Sequence, residues 1–188
     1  LLIGGSAGWM MSTAWLTCFK RVDVVDIDPL APWLFSRRHG KALKKAACPW
    51  LFHRQDAIAG LPALLKQFPD AFVWFDNVLG QLRFNSSDIK LVEKNMARCV
   101  QALKGREWGS IHDRMSGPTT NLIQHISDLP VRHADWHDQK WLAQLDAQSP
   151  WLDHLTNAIF PAGLAVQDFA WNFSPNYRHW LQAGWVRP

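Results

Sequence analysis

The sequence predicts an α/β domain: a mainly parallel sheet of about seven strands, helices on both faces, and a C-terminal antiparallel hairpin. Three observations lead there. Short apolar runs rich in β-branched residues alternate with helical periodicity, the pattern of βαβ units. The first of these runs ends in the glycine turn Gly4-Gly5-Ser6-Ala7-Gly8. The last two are joined by residues 172–178, too few for a crossover helix, so those two strands pair antiparallel. The chain has 188 residues, 48% hydrophobic and 19% charged, which excludes disorder and fibrous repeats and suits one domain over 1–188.

Residues 1–3 read as the end of a buried strand. The chain opens there without an initiator Met, and N-terminal sequence is expected to be missing. Met11, Ala14, Trp15 and Cys18 recur at i, i+3, i+4, i+7, one face of a helix. Residues 22–27 form a valine-rich second strand that ends at Asp28-Pro29. Residues 32–47 read as a helix with a basic outer face of Arg37, Arg38, Lys41, Lys44 and Lys45, a solvated face or, as the alternative, a phosphate-binding patch. Residues 51–57 give a third strand. Pro62 suits the first turn of a helix over 61–68, and Pro69 stops it. Residues 71–75 give a fourth strand. Ser86 or Ser87 caps the next helix, with Asp88 in its first turn and an apolar stripe of Ile89, Val92, Met96, Val100 and Leu103. A fifth strand spans 108–115. Residues 117–150 read as an inserted loop and helix region with a helical pattern over 138–145, and a further helix spans 150–160. The hairpin strands are 164–171 and 179–186.

Composition narrows the function class. A net charge of +4 permits an acidic partner or nucleic acid without requiring one. Cys18, Cys48 and Cys99 are widely spaced with no C-x-x-C, which argues for a reducing, cytoplasmic setting and against a cysteine zinc site. The first charged residue is Lys20, yet Gly4, Gly5, Ser6 and Gly8 break the apolar opening, so no membrane span is expected. Twelve tryptophans point to a Trp-heavy core, or to a ring-lined pocket. His133 and His137 stand at i, i+4 with Asp135 between them, but no third ligand follows at a recognised spacing, so no metal is expected. Neither a nucleophile elbow nor a Walker loop is present.

The chemistry concentrates at the carboxyl ends of consecutive strands, where open α/β sheets place their ligands. The glycine turn lets backbone approach a ligand closely and leads to a helix N-terminus. G-x-G-x-x-G fails from Gly4, which needs glycines at Ser6 and Trp9, and from Gly5, which needs them at Ala7 and Met10. The second strand ends Val25-Asp26-Ile27-Asp28-Pro29, and an acidic side chain there can accept from both hydroxyls of a ribose. The third ends Gln55-Asp56-Ala57, the fourth Phe75-Asp76-Asn77.

Taken together, Ile3-Gly4-Gly5-Ser6-Ala7-Gly8, Val25-Asp26-Ile27-Asp28-Pro29 and Gln55-Asp56-Ala57 resemble the class I S-adenosylmethionine-dependent methyltransferases, nearest their spermidine-synthase-like branch. The resemblance implies a Rossmann-like domain that binds S-adenosylmethionine. It implies that Gly4, Gly5, Ser6 and Gly8 wrap the methionine part of the cofactor. Asp26 would hold the ribose, with Ile27 against adenine and Asp28 nearby. Asp56 would accept from the adenine amino group beside Ala57, and Asp76 and Asn77 would face the sulfonium. The paired aspartates of aminopropyl transfer are not both present after the fourth strand, where Asp76 is followed by Asn77-Val78-Leu79-Gly80-Gln81. That favours methyl transfer to an acceptor the sequence does not name. Asp76, His112 and Asp113 are the candidate bases. Trp136, Trp141, Trp171 and Phe173 are candidate substrate walls. The alternatives are an aminopropyltransferase and a non-catalytic Rossmann-like binding module, for which RNA is a candidate ligand.

Overall fold

A computed structural model describes residues 1–6, 8, 10–119, 132–133 and 151–188. The single domain expected over 1–188 is built as two compact units, Leu1–Asp76 and Asn77–Pro188.

In the first unit, strands β1 (Leu2–Ile3), β2 (Val22–Asp26), β3 (Trp50–Arg54) and β4 (Val73–Asp76) pair in parallel in the order β3-β2-β1-β4. The helices are α1 (Thr13–Leu16), α2 (Ala31–Phe35), α3 (Lys41–Lys45) and α4 (Leu61–Gln67). Four of the five residues of β2 are buried, as expected of a parallel strand covered on both faces. Val24, Phe35 and Leu43 are fully buried in a cluster with Leu2, Met11, Leu16, Val22 and Cys48, against which Trp15, Trp50 and Trp74 pack.

The register carries the functional consequence. Ile3 lies beside both Val25 and Phe75, so the residues that follow these three, Gly4, Asp26 and Asp76, leave one edge of the sheet together.

The helix expected over 32–47 is present with one irregularity: a π turn at Ser36–Gly40 joins α2 to α3. Such a turn holds an extra residue and re-aims the side chains it carries. Here it buries His39, while Arg37, Arg38, Lys41, Lys44 and Lys45 stay on the solvent side.

The second unit holds α5 (Val78–Asn85) and α6 (Ile89–Ala102), then β5 (Trp108–Pro118), β6 (Arg132–His133), β7 (Leu152–Asp153), β8 (Ala165–Ser174) and β9 (Tyr177–Val186). The expected hairpin is there. β8 and β9 pair antiparallel across the two residues Pro175 and Asn176, and β9 pairs antiparallel with β5. β6 adds to β8, and β7 adds to β5.

Several expectations are corrected. The sequence does not announce α5. Asp88, rather than Ser86 or Ser87, is the N-cap of α6: its carboxylate accepts from the Leu91 N–H, while the Ser86 hydroxyl accepts from Asp88 N–H. Ile89 is exposed, and the buried stripe is Val92, Met96, Cys99 and Leu103. Residues 151–160 form β7 and turns rather than a helix. Leu155 sits at φ 61°, and its N–H bonds the Asp153 carboxylate, a turn geometry a helix cannot contain. His133 lies in a strand, which removes the helical premise for its pairing with His137. His137, Trp136, Trp141 and the expected 138–145 helix lie outside the described residues.

Trp108, Trp151 and Trp180 are core residues, but Trp33, Trp171 and Trp185 are exposed, so the tryptophans do not serve one purpose. Among the described residues no helix is long and apolar enough to cross a membrane.

Gly80 of α5 packs so closely that an added Cβ would lie 2.6 Å from the Asp113 backbone nitrogen. Backbone cannot yield as a side chain can. Gly80→Ala is therefore expected to lower stability by about 1–3 kcal/mol in urea unfolding; an unchanged midpoint would contradict this packing.

Candidate functional site

The candidate cofactor site lies on the rim where β1, β2 and β4 end. Beyond Ile3 the chain turns through Gly4 at φ 73°, Ser6 at φ 39° and Gly8 at φ 67°. Three left-handed residues so close together curl the backbone into a bend, held by Gly4 N–H to Val25 C=O (2.8 Å) and Gly8 N–H to Gly5 C=O (2.6 Å).

His39 supports the bend from below. Its Nε2 donates to the Gly8 carbonyl at 3.0 Å, and its Nδ1 lies 2.7 Å from the Thr13 hydroxyl. A carbonyl only accepts, so Nε2 carries the proton and Thr13 donates to Nδ1. Burial holds this ring below the usual imidazole range, consistent with a neutral support. A Cβ on Gly8 would lie 2.5 Å from Nε2, so a glycine is required there on both conformational and steric grounds.

Asp26 faces the bend. Its Oδ2 accepts from Ser6 N–H at 2.7 Å, and its Oδ1 accepts from Asp28 N–H at 2.9 Å. Each oxygen keeps acceptor capacity, because a carboxylate offers about four lone-pair sites. Asp28 is a turn former: its Oδ1 accepts from Leu30 N–H at 2.8 Å. Ile27, between them, is 67% exposed, an apolar side chain left in solvent beside a fixed carboxylate. At the end of β3, Asp56 is exposed, and its Oδ1 accepts from the N–H groups of Ile58 and Ala59. Its other oxygen has no hydrogen bond among the described residues. Ala57 is buried beside it.

Asp76 is the unusual member. It is only 6% exposed, and its Oδ1 has no hydrogen-bond partner among the described residues. Burial, reinforced by the negative charge of Asp26, pushes its pKa up to about 7. A buried acceptor without a donor is costly and calls for an explanation. A cationic or donor group of a ligand at this rim would satisfy it.

The remaining candidates lie in the second unit and behave differently. Asn77, at φ 56°, spends its amide on Asp113: Oδ1 accepts from Asp113 N–H at 2.9 Å, and Nδ2 donates to Asp113 Oδ2 at 3.0 Å. That leaves the side chain a structural clamp rather than a group turned toward a ligand.

His112 and Asp113 are neighbouring candidate bases in the sequence, but consecutive strand residues point to opposite faces. His112 is fully buried, with Nδ1 paired to the Ser110 hydroxyl at 2.9 Å and Phe160 packed on the ring. Burial, then the charges of Arg114 and His154, push its pKa down to about 3. A ring sealed from solvent, with one nitrogen held by Ser110, gives a general-base role for His112 no support. Asp113 is instead paired with His179, Nδ1 to Oδ1 at 2.9 Å. Trp171 and Phe173 of the candidate substrate walls do meet, edge to face at 5.5 Å, and both pack beside His179.

Sequence reasoning does not single out His39, Gly80, His154 or His179. Only strand register could have flagged His179, which stands directly opposite Ser116 on β5 and Trp171 on β8.

No protein-family model matches the chain, and no curated protein matches it.

Asp76 gives a stability prediction. The folded state holds a proton that the unfolded carboxyl, with an ordinary pKa of 3.8, has already lost. Stability therefore falls as pH rises from about 4 to about 7, by on the order of 4 kcal/mol in total, and is level above that. Asp76→Asn is expected to remove this slope and to be more stable than the parent protein near pH 8. A parent protein whose unfolding midpoint does not change across that range would refute the burial of an unpaired carboxyl here.

Proposed function

We propose that this chain is an S-adenosylmethionine-dependent methyltransferase, with its cofactor on the rim formed by Gly4–Gly8, Asp26–Asp28, Asp56 and Asp76. The observation that carries the reading is the Asp26 carboxylate, fastened to the Ser6 N–H at 2.7 Å and so turned toward the glycine bend. A ribose diol needs such an acceptor, fixed in place before binding, and the bend supplies backbone that a ligand can approach closely.

The other residues fit in kind. The Gly4, Gly5, Ser6 and Gly8 backbone would hold the methionine part. Exposed Ile27 offers adenine an apolar face, and Asp56 beside Ala57 offers its amino group an acceptor. Asp76 supplies a buried oxygen in need of a cation or a donor. The amide of Asn77 is already committed to Asp113, so no contact with the cofactor is assigned to it.

When bound, the cofactor would supply a methyl group activated on a sulfonium and open to in-line displacement, with the thioether of adenosylhomocysteine as the leaving group. The protein's part is to orient and desolvate. His39 and Asp26 fix the shape of the bend from two sides, and Ile27 would exclude water from one face of adenine. Asp76 offers charge in the dry part of the site. A cation there favours the ionised carboxylate, so binding between about pH 6 and 7 releases a proton. The acceptor is not identified by these residues.

Two measurements follow. S-adenosylhomocysteine is expected to raise the melting temperature of the parent protein, and Asp26→Ala is expected to weaken binding at least about tenfold, the loss of one charged hydrogen-bonding partner. Absence of a shift in the parent protein, or an equal shift in the variant, would end the reading. The product that forms on turnover should be adenosylhomocysteine, since methylthioadenosine would mean aminopropyl transfer.

Affinity for S-adenosylmethionine is also expected to rise about tenfold from about pH 6 to about pH 8, and to lose that dependence in Asp76→Asn. A pH-independent affinity in the parent protein would remove Asp76 from the cation's surroundings.

A further inference from the structure

The second unit holds a set of side chains that the methyltransferase reading does not use. Asp113 of β5, His154 just after β7 and His179 of β9 are all buried, and one ligand atom from each lies within 4.8 Å of the others. Three separate stretches of chain bring them together, and two local features make this possible.

The first is a bulge. Asp113 and Ser116 are three apart and would point to opposite faces of a regular strand. The register of β5 on β9 shifts between Asp113 and Met115, and the extra residue returns Asp113 to the side of Ser116 and its partner His179. The second is the turn at Leu155, which with the bond from His154 N–H to Arg114 C=O (3.1 Å) delivers His154 to the same place.

The surrounding hydrogen bonds prepare the ligand atoms. His154 Nδ1 lies 2.7 Å from the Gly80 carbonyl. A carbonyl accepts only, so Nδ1 carries the proton and Nε2 presents a lone pair. This is the backbone anchor that orients metal-bound imidazoles. The Ser116 hydroxyl donates to that Nε2 at 2.9 Å and lies 3.1 Å from the Tyr177 hydroxyl; an ion on Nε2 takes the place of the Ser116 hydrogen bond. Asp113 is fixed through Oδ2 by the Asn77 amide, and its Oδ1 accepts from His179 Nδ1–H at 2.9 Å; an ion bound between the two takes the place of that proton, which leaves Nδ1 as the metal binds. Ligand atoms about 2.1 Å from a shared transition-metal ion stand about 3 Å apart, so these two need little movement to share one.

The rings of Trp171, Phe173 and Tyr177 lie 5.3–5.7 Å from the His179 ring, and Phe84 packs edge-on to His154 at 4.9 Å. They form the apolar shell that keeps a site dry. Phe173 at 64% and Trp171 at 41% exposure place one wall of that shell at the surface, where an ion can enter.

From this cluster we propose that Asp113, His154 and His179 bind one divalent first-row transition-metal ion, such as zinc, iron, cobalt or manganese. Two imidazoles and one carboxylate suit that class. They lack the oxygen-rich shell that calcium prefers and the thiolates that copper(I) prefers. Three protein ligands leave further positions open for water or a small anion. The site stands apart from the cofactor reading and does not depend on it.

The test uses the whole chain, stripped with a chelator, with Zn²⁺ followed by calorimetry and Co²⁺ by visible absorption. One equivalent should saturate each and raise the melting temperature. His154→Gln, His179→Gln and Asp113→Asn should each weaken binding at least about a hundredfold, whereas His133→Gln should leave it unchanged. Failure of the parent protein to bind, binding unaltered by His154→Gln and His179→Gln, or loss of binding in His133→Gln would overturn the proposal. The Co²⁺ spectrum of the parent protein remains decisive even if a variant does not fold. Ligand-field bands without sulfur-to-cobalt charge transfer support the site, and charge transfer from a cysteine would refute it.

Discussion

The hydrogen bond between Asp26 and the Ser6 backbone is the constraint on which the functional reading depends. It joins the end of β2 to the bend after β1 and converts two flexible features into one surface of fixed shape. Without it a carboxylate at a strand end would sample several rotamers, and the bend could relax. The Gly8–His39 contact completes the arrangement from the buried side: the imidazole donates to the bend's own carbonyl and fills the space that a Cβ on residue 8 would need. The geometry is thus held by neutral and charged bonds at once, with the free acceptor capacity of Asp26 left for a ligand. Preorganisation of this kind lowers the ordering cost of binding.

The same rim carries its own electrostatic tension. The parallel register that sets Gly4, Asp26 and Asp76 at one edge also brings two carboxylates near each other, one of them buried with an oxygen that has no hydrogen-bond partner among the described residues. A protein with no use for Asp76 would gain from an apolar residue there. A proton satisfies the group near neutral pH, and a cationic ligand would satisfy it better. Under the proposed reading, the acid would couple ligand charge to protonation at this rim.

Much of the first unit is legible in the sequence because its signals are local. A strand, a glycine turn and an acidic strand end are each written in a few consecutive residues, and parallel pairing, though not the strand order, then follows from the βαβ pattern. The hairpin of β8 and β9 is legible for the same reason, since a short connection admits one pairing. The second unit is harder where long-range geometry decides. Residues 150–160 carry a helical pattern of apolar residues, yet those side chains fill the core from turns, and the left-handed Leu155 is invisible to periodicity. His112 and Asp113 look alike in sequence, and a strand separates them onto two faces with opposite consequences. His154 and His179 are brought to Asp113 by a bulge and a turn, neither of which has a signature in the sequence, whereas the conspicuous pair His133 and His137 loses its helical basis.

A crystal structure of the protein with S-adenosylhomocysteine is the most direct test of the central claim. Adenosine density is expected at the end of β2, with both ribose hydroxyls within hydrogen-bond reach of Asp26, adenine against Ile27 and the bend unchanged. Adenosine bound elsewhere, or an Asp26 carboxylate turned away from the ribose and the bend, would contradict it.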